Sequence, residues 1–410
     1  MKKYVGTAIL LFCGLLALDG LANATGSTVP EPFQGFDNDS SYAINYDDLT
    51  ALLRNVVVDV GRSTRRVAQP AADVTGTRMK AKVKKTANEG NRFYFETFKD
   101  EDEAREYLLN IQKSLEALPT EAPLEYFSRD EQLAYWLNLY NVTVLNEIIA
   151  VYPKKNLKKM VQGKKSIFAK KLLTVAGESL SLDDIQFTIL KQNYDNNPLI
   201  MYGLYQGIVG GPSIRRTAYT GGNVYGALED NAYEFVNSNR GTFIRDEKTF
   251  RVSSLYGRDK AYFPDFNSDL SKHLMVYLEG KERRALEGAS KIKTDINDWS
   301  VTDLGGSQQR IGGSFADSRA ALMDSVKGTT PMDGGGVMGA AVGYGSSSMA
   351  SKGQQRSLSR IDPALLAVLH DINDQRMQEN QRSATVLVED LDESSDEPAS
   401  DAATDTEENE

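Results

Sequence analysis

A glycine-rich stretch over residues 201–216, MYGLYQGIVGGPSIRR, combines residue types that could do chemistry. Glycines next to basic residues occur in phosphate-binding loops, and a serine after glycine can be a nucleophile. The spacing argues against both interpretations. The stretch has no Gly-Lys-Ser/Thr pattern, Arg215 and Arg216 follow a proline, and Ser213 lies outside a Gly-x-Ser-x-Gly pattern. A catalytic triad of Ser213 with the distant His273 is equally unsupported.

We interpret this stretch as a buried strand that enters a Gly-Gly-Pro turn. Its small residues would leave a shallow cleft with aromatic and arginine side chains at the rim: Tyr202, Tyr205, Arg215, Arg216 and Tyr219. Such side chains suit an anionic, sugar-like or peptide ligand. They are equally common in ordinary cores and surfaces, so a purely structural role remains the alternative.

The segment SRDEQLAYWLNLYNVTVLNEIIAVYP predicts the central helix of the core. Its apolar residues recur at helical spacing on nearly every side. Ser128 and Glu131 have the spacing of a capping box, and Pro153 is expected to end the helix. Asn138 and Asn141 share one face in this apolar setting. They either bind a substrate or hydrogen-bond buried backbone, as buried amides must.

The remaining pattern predicts an α+β fold, a helix-rich mixed domain with a small sheet over residues 42–290. Helices are expected at 101–118 (ended by Pro119), 222–238 and 268–288. Residues 92–98 predict a short strand, 172–190 a strand, turn and helix, and 240–257 a hairpin. In the segment 172–190, Ser181 and Asp184 have capping spacing.

Both ends of the chain differ from this domain in composition. Residues 1–24 have two lysines, an apolar run and Ala22-Asn23-Ala24, which predicts a signal peptide rather than a retained membrane anchor. Other expected segments are a flexible lead-in (25–41), a low-complexity linker (302–356), an isolated helix (362–380) and a disordered acidic tail (389–410). The protein is therefore expected to be exported, to the periplasm or beyond the cell, with no membrane span after cleavage.

Charge and metal-binding residue types narrow the possible functions. The chain carries a net charge of −10, and the tail, with eleven Asp or Glu and no Lys or Arg, accounts for this excess of negative charge. Residues 154–171 contain eight lysines, but without regular aromatic interleaving we expect a solvated loop and no nucleic-acid partner. Cys13 is the only cysteine, and His273 and His370 are far apart, so we expect no metal site and no cofactor.

Two segments resemble a known family, EQLAYWLNLYNVTVLNEII and LLTVAGESLSLDDIQ. The order of segments through AYFPDF resembles it as well. Over residues 42–270 the chain resembles the family of domain-of-unknown-function 547 proteins. The resemblance implies a histidine and two cysteines near the glycine-rich stretch. Here Met201, Gln206 and Gly211 occupy those positions.

The resemblance also implies an acidic residue and a histidine after SLDDI, where this chain has Gln186 and Phe187. A thiol mechanism needs a thiolate and usually a base, and these replacements supply neither. The resemblance therefore implies a non-catalytic member of the family.

These observations favour an exported, non-catalytic binding or envelope-associated protein. Its expected partner is an envelope protein or a small polar ligand, and its candidate binding residues are Asn138, Asn141 and the five rim residues. Two alternatives stay open. One is a hydrolase or transferase of unknown class, and the other is an assembly protein that acts through its C-terminal helix and acidic tail.

Overall fold

The computed structural model describes residues 28–66, 84–86, 89–100 and 102–304. The predicted signal peptide, the isolated helix at 362–380 and the acidic tail at 389–410 lie outside the described residues. So does the predicted linker after residue 304.

The described part of the chain is rich in helix and has three small sheets, which confirms the predicted α+β class. The helices are α1 (Asp47–Val56), α2 (Phe95–Asp100), α3 (Asp102–Glu121), α4 (Arg129–Ile149), α5 (Lys158–Val161), α6 (Lys191–Asn193), α7 (Val224–Val236), α8 (Ser254–Arg258), α9 (Phe266–Tyr277) and α10 (Gly280–Gly288). The strands are β1 (Val57–Val58), β2 (Arg92–Phe93), β3 (Lys171–Val175), β4 (Glu178–Ser181), β5 (Thr242–Ile244), β6 (Thr249–Ser253) and β7 (Lys291–Ile296).

Most strands pair only with a neighbour along the chain, so each sheet contains only two or three strands. β1 pairs antiparallel with β2, β3 with β4, and β5 with β6. β7 adds to β6 in parallel and makes the third sheet three-stranded. The hairpin predicted at 240–257 is confirmed over residues 242–253, whereas residues 254–257 belong to α8. The sequence pattern missed β7, whose side chains are mostly exposed or half-buried and so lack a clear hydrophobic alternation.

Helix α4 forms the centre of the core, as its sequence predicts. Every residue from Glu131 to Leu145 is buried. Ser128 caps the helix by accepting a hydrogen bond from the Glu131 amide at 3.2 Å. The Glu131 carboxylate does not complete the predicted capping box, because it accepts from the amides of Ile44 at 3.1 Å and Gly221 at 2.8 Å. This carboxylate thereby ties two distant loops to the start of α4.

Helix α3 continues through Pro119, so the prediction that this proline ends it is wrong. Proline has no amide hydrogen to donate to the carbonyl four residues earlier, which belongs to Leu115. The hydroxyl of the buried Tyr135 donates to the Leu115 oxygen at 2.9 Å. A side chain of α4 thus supplies the hydrogen bond that Pro119 cannot make.

Two other boundaries differ from prediction. Only residues 92–93 of the expected strand are extended, because Phe95 and Phe98 bury their rings from a helix, α2. The helix predicted over 268–288 is two helices, separated by Leu278 and Glu279 in extended conformation, after which Gly280 begins α10 with a φ of +55°. The local prediction at Ser181 and Asp184 is confirmed, since each side chain bonds the other residue's amide, at 3.1 and 2.6 Å.

The core extends beyond the boundaries drawn from the sequence. Val29 and Phe33 are buried, although residues 25–41 are expected to form a flexible lead-in, and Phe33 contacts the Trp136 ring edge-on with centroids 5.0 Å apart. At the other end Val301, beyond the predicted domain boundary at 290, and Leu304, inside the predicted linker, are buried too. Burial of these apolar side chains ties both ends of the described chain to the domain.

The Tyr135 hydroxyl and Pro119 should be coupled energetically. We expect Tyr135→Phe to lower the free energy of unfolding by about 1–2 kcal/mol, because a buried carbonyl loses its partner. In a Pro119→Ala background the new amide can donate to the Leu115 oxygen, so Tyr135→Phe should cost clearly less. Urea unfolding of all four proteins measures this coupling, and equal costs in both backgrounds would contradict the assignment.

Candidate ligand-binding site

The glycine-rich stretch is not the predicted buried strand. Residues Pro198–Gly203 form a turn of 3₁₀ helix, and the following segment makes a single bridge, between Ile208 and Val301. A Cβ added at Gly203 would lie 2.5 Å from a methyl of Leu228. One added at Gly210 would lie 2.7 Å from the backbone nitrogen of Asp298. The glycines permit close packing and do not form a phosphate loop.

The partner of this stretch is a segment that we call the closing segment, Asp298–Asp303. Its oxygens accept from the amides of Gly210 at 2.9 Å, Val209 at 2.8 Å, Leu157 at 2.9 Å and Phe93 at 2.8 Å. Its own amides donate to the oxygens of Gly207 at 3.1 Å and Lys155 at 3.0 Å. The closing segment therefore joins the glycine-rich stretch, the lysine-rich segment 154–171 and strand β2.

Two buried carboxylates fix the ends of the closing segment. Asp298 accepts from the Lys84 ammonium at 2.8 Å and the Thr86 hydroxyl at 2.6 Å. Burial raises the pKa of Asp298, but these hydrogen bonds outweigh burial and leave it below its ordinary value. Asp303 is fully buried and accepts from Lys155. Both ends of the segment are thus neutralised by lysines.

The three tyrosines predicted at the rim of a cleft lie in the interior instead. Tyr202 and Tyr205 are fully buried and Tyr219 is nearly so. The Tyr202 hydroxyl lies 2.9 Å from His273 Nε2, that of Tyr205 bonds Thr302, and that of Tyr219 accepts from an asparagine of α7. The predicted rim is wrong for these residues because their hydroxyls have internal partners, so nothing keeps them at the surface.

Asn138 and Asn141 use both ends of their amides on loop backbone. Asn138 donates to the oxygen of Tyr219 at 2.8 Å and accepts from its amide at 3.0 Å. Asn141 donates to the oxygen of Gly203 at 2.9 Å and accepts from the Tyr205 amide at 2.9 Å. The sequence left two roles open for these asparagines, substrate binding and hydrogen bonding to buried backbone. Their geometry is that of the second role.

The predicted arginines also bond backbone. Arg215 donates to the oxygen of Ala227 at 3.0 Å, and Arg216 donates to that of Arg54 at 3.3 Å. Arg215 lines a cavity of about 10 Å³ together with Asn138, Asn141 and Tyr219, which is room for one water at most. Tyr202, Tyr205 and Arg216 do not line it. The binding role predicted for these seven residues stays a prediction.

A much larger cavity, of about 850 Å³, opens beside the lysine-rich segment. We call it the lysine-rimmed cavity. Its charged lining residues are Lys158, Lys159, Asp183 and Arg258. The apolar ones are Val161, Phe168, Phe187, Leu255 and Trp299, and the uncharged polar side chains are Gln162, Ser166, Gln206 and Ser254. The lining comes from α5, the region around the π-helical turn Asp184–Leu190, α8 and the closing segment.

Arg258 is held rigidly in the wall of this cavity. Its guanidinium donates to Asp183 at 2.7 Å, to Asp259 at 2.8 Å and to the Gln186 oxygen. The ring of Phe168 lies 4.6 Å from its central carbon. Burial raises the pKa of both carboxyl groups and Arg258 opposes that rise. The Arg258 side chain is still 22% exposed, so part of it faces the cavity.

Two of the five positions where the resemblance implies reactive groups line this cavity. Phe187 and Gln206 line it, and Gln186 accepts from Arg258. A Cβ at Gly211 would lie 3.2 Å from the Cβ of Gln206. Met201 is fully buried and is not among the lining residues. The resemblance identified these positions from the sequence, and Phe187 and Gln206 are the two that could have indicated the cavity.

Fold and cavity together define a helix-rich α+β protein with room for a small molecule. Residues 124–236 match the family model described as "Protein of unknown function, DUF547". The resemblance is therefore confirmed for this segment, which runs from the turn before α4 to the end of α7. Comparisons with curated proteins and with solved structures find no match. None of the described helices is both long and apolar enough to cross a bilayer.

The contact between Gly210 and the closing segment gives a direct test. We expect Gly210→Ala to lower the free energy of unfolding by about 1–3 kcal/mol, because its methyl group meets backbone that cannot rotate away. Gly226→Ala is the matched control. That glycine lies in α7 with nothing near its added Cβ, so alanine should raise stability by about 0.5–1 kcal/mol. Thermal unfolding of both variants checks the opposite signs.

His273 should make the fold sensitive to acid. Burial among aromatic rings lowers its pKa to about 4, against 6.5 ordinarily. The unfolded chain therefore binds a proton that the folded chain refuses, so stability is complete above pH 6.5 and falls towards pH 4.

Between about pH 7 and pH 5 this loss is about 2 kcal/mol, since each pKa unit corresponds to about 1.4 kcal/mol. Over the same pH range, the His273→Gln variant should lose about 2 kcal/mol less stability than the wild type. Urea unfolding at both pH values measures the difference, and parallel losses in the two proteins would show that His273 is not responsible.

Proposed function

We propose that the protein is an exported, non-catalytic binding protein whose ligand occupies the lysine-rimmed cavity. The observation that carries the proposal is that Phe187 and Gln206 line a cavity of about 850 Å³, and that Gln186 bonds Arg258 of its wall. These are the positions where the resemblance implies reactive groups, and in this chain they carry side chains suited to contact.

The size and lining of the cavity support binding of a small molecule. Ligand sites in proteins typically measure about 300–1,000 Å³ and combine apolar walls with a few fixed polar groups. Phe168, Phe187 and Trp299 supply apolar surface here. Gln206 and Arg258 supply hydrogen-bonding groups, and Arg258 is fixed by its own partners.

The chemistry of the wall favours binding over turnover. An amide at Gln206 and a phenyl ring at Phe187 neither attack as nucleophiles nor exchange protons near neutral pH. The one carboxylate in the lining, Asp183, is engaged by Arg258. Export is supported by the N-terminal sequence pattern alone, since those residues lie outside the described part of the chain.

Size-exclusion chromatography coupled to mass spectrometry tests the proposal. The full-length protein is incubated with a small-molecule extract of the producing cells, and the compounds that elute with it are identified. Gln162→Trp places a large ring at the cavity wall and should abolish retention of the ligand. Gln192→Trp is the matched control, an exposed glutamine outside the lining, and should retain it.

Each outcome discriminates among the candidate functions. A compound retained unchanged by the wild type and by Gln192→Trp, but not by Gln162→Trp, supports a binding protein. Conversion of the compound during incubation would favour the hydrolase or transferase instead. If no compound is retained, the binding proposal is wrong and an assembly role becomes the better candidate.

A further inference from the structure

We infer that the ligand of the lysine-rimmed cavity is an anion that carries an aromatic or other apolar body, an inference that rests on the proposed function. The anionic group is a phosphate, a sulfonate or a carboxylate. All three bind to positive charge and hydrogen-bond donors, which the cavity offers.

The charges at the cavity favour an anion. Three cationic side chains line it, against the single carboxylate of Asp183. Within the lysine-rich segment, Lys155 and Lys171 form ion pairs with Asp303 and Asp184. Lys158 and Lys159 are exposed and form no ion pair within the described residues, so their charge is available to a ligand.

Arg258 and the two lysines have different tasks. The guanidinium is balanced by Asp183 and Asp259, so it adds little net charge to the cavity. Its position is fixed by those partners and by two phenyl rings, at 4.6 and 5.2 Å. A fixed donor loses little entropy on binding. Arg258 therefore orients a ligand, and Lys158 and Lys159 supply the attraction.

The apolar wall distinguishes such a ligand from a free inorganic anion. Val161, Phe168, Phe187 and Leu255 line the cavity, and Trp299 of the closing segment adds a fifth apolar side chain. A small ion would leave most of this surface in contact with water. A ligand with an apolar body covers it and gains the corresponding free energy.

Two fluorescent probes test the charge requirement. Anilinonaphthalene sulfonate carries one sulfonate, and N-phenylnaphthylamine has the same rings without it. We expect the full-length protein to bind the sulfonate probe about tenfold more tightly or better, and expect added salt to weaken that binding selectively. Gln162→Trp should abolish binding of both probes, which places them in the cavity.

A pair of double variants separates a local charge effect from a general one. Lys158→Gln with Lys159→Gln removes two lysines that line the cavity, whereas Lys164→Gln with Lys165→Gln removes two exposed lysines of the same segment that do not. The first pair should weaken binding of the sulfonate probe about tenfold, because two positive charges at the cavity are lost, and leave the neutral probe unchanged. The second pair should change neither, and equal melting temperatures verify the folds.

The outcomes separate this inference from the proposed function. Equal affinity for the two probes, both blocked by Gln162→Trp, overturns the anionic ligand and leaves the binding site intact. Equal loss of affinity in both lysine pairs shows an unspecific field and overturns it too. No binding of either probe overturns the inference, and together with an empty ligand screen it also overturns the proposed function.

Discussion

The backbone contact between Gly210 and Asp298 is the constraint on which the arrangement of the domain depends. The two backbone segments approach closely only because position 210 carries no side chain. That approach lets the closing segment hydrogen-bond three separate parts of the chain. It also brings Trp299 to the lysine-rimmed cavity and buries the carboxylates of Asp298 and Asp303 beside lysines. The packing of the core, the cavity wall and the buried ion pairs therefore all depend on the absence of a side chain at position 210.

Helix α4 also holds the loops in place, through hydrogen bonds from its side chains. It is apolar on nearly all sides, yet three of its buried amide side chains reach out to irregular backbone. Gln132 donates to the oxygens of Gly35 and Leu124, while Asn138 and Asn141 each bond loop backbone at both amide ends. Loops buried against a helix would leave polar groups unpaired, and these side chains satisfy them. The central helix thus supplies both apolar surface and hydrogen bonds.

The sequence predicted what is decided locally and missed what is decided by contacts far along the chain. The periodicity of α4 and the reciprocal bonds of Ser181 and Asp184 depend on neighbouring residues, and both were found. The continuation of α3 through Pro119 is accompanied by a hydrogen bond from the Tyr135 hydroxyl of α4. The role of Gly210 depends on the closing segment, almost ninety residues later. The cavity combines residues from 158 to 299, so no single stretch reveals its volume or charge.

The late position of the closing segment has a consequence for the order in which the molecule can form. A ribosome that has made residues up to 296 has completed every described helix and strand, but not the chain that pairs with the glycine-rich stretch. Until residues 298–303 emerge, the backbone of Gly207 and Gly210 lacks its partners and the cavity lacks its Trp299 wall. Contacts of such long sequence separation close slowly. The contacts of the glycine-rich stretch can therefore form only after the rest of the described domain has been synthesised.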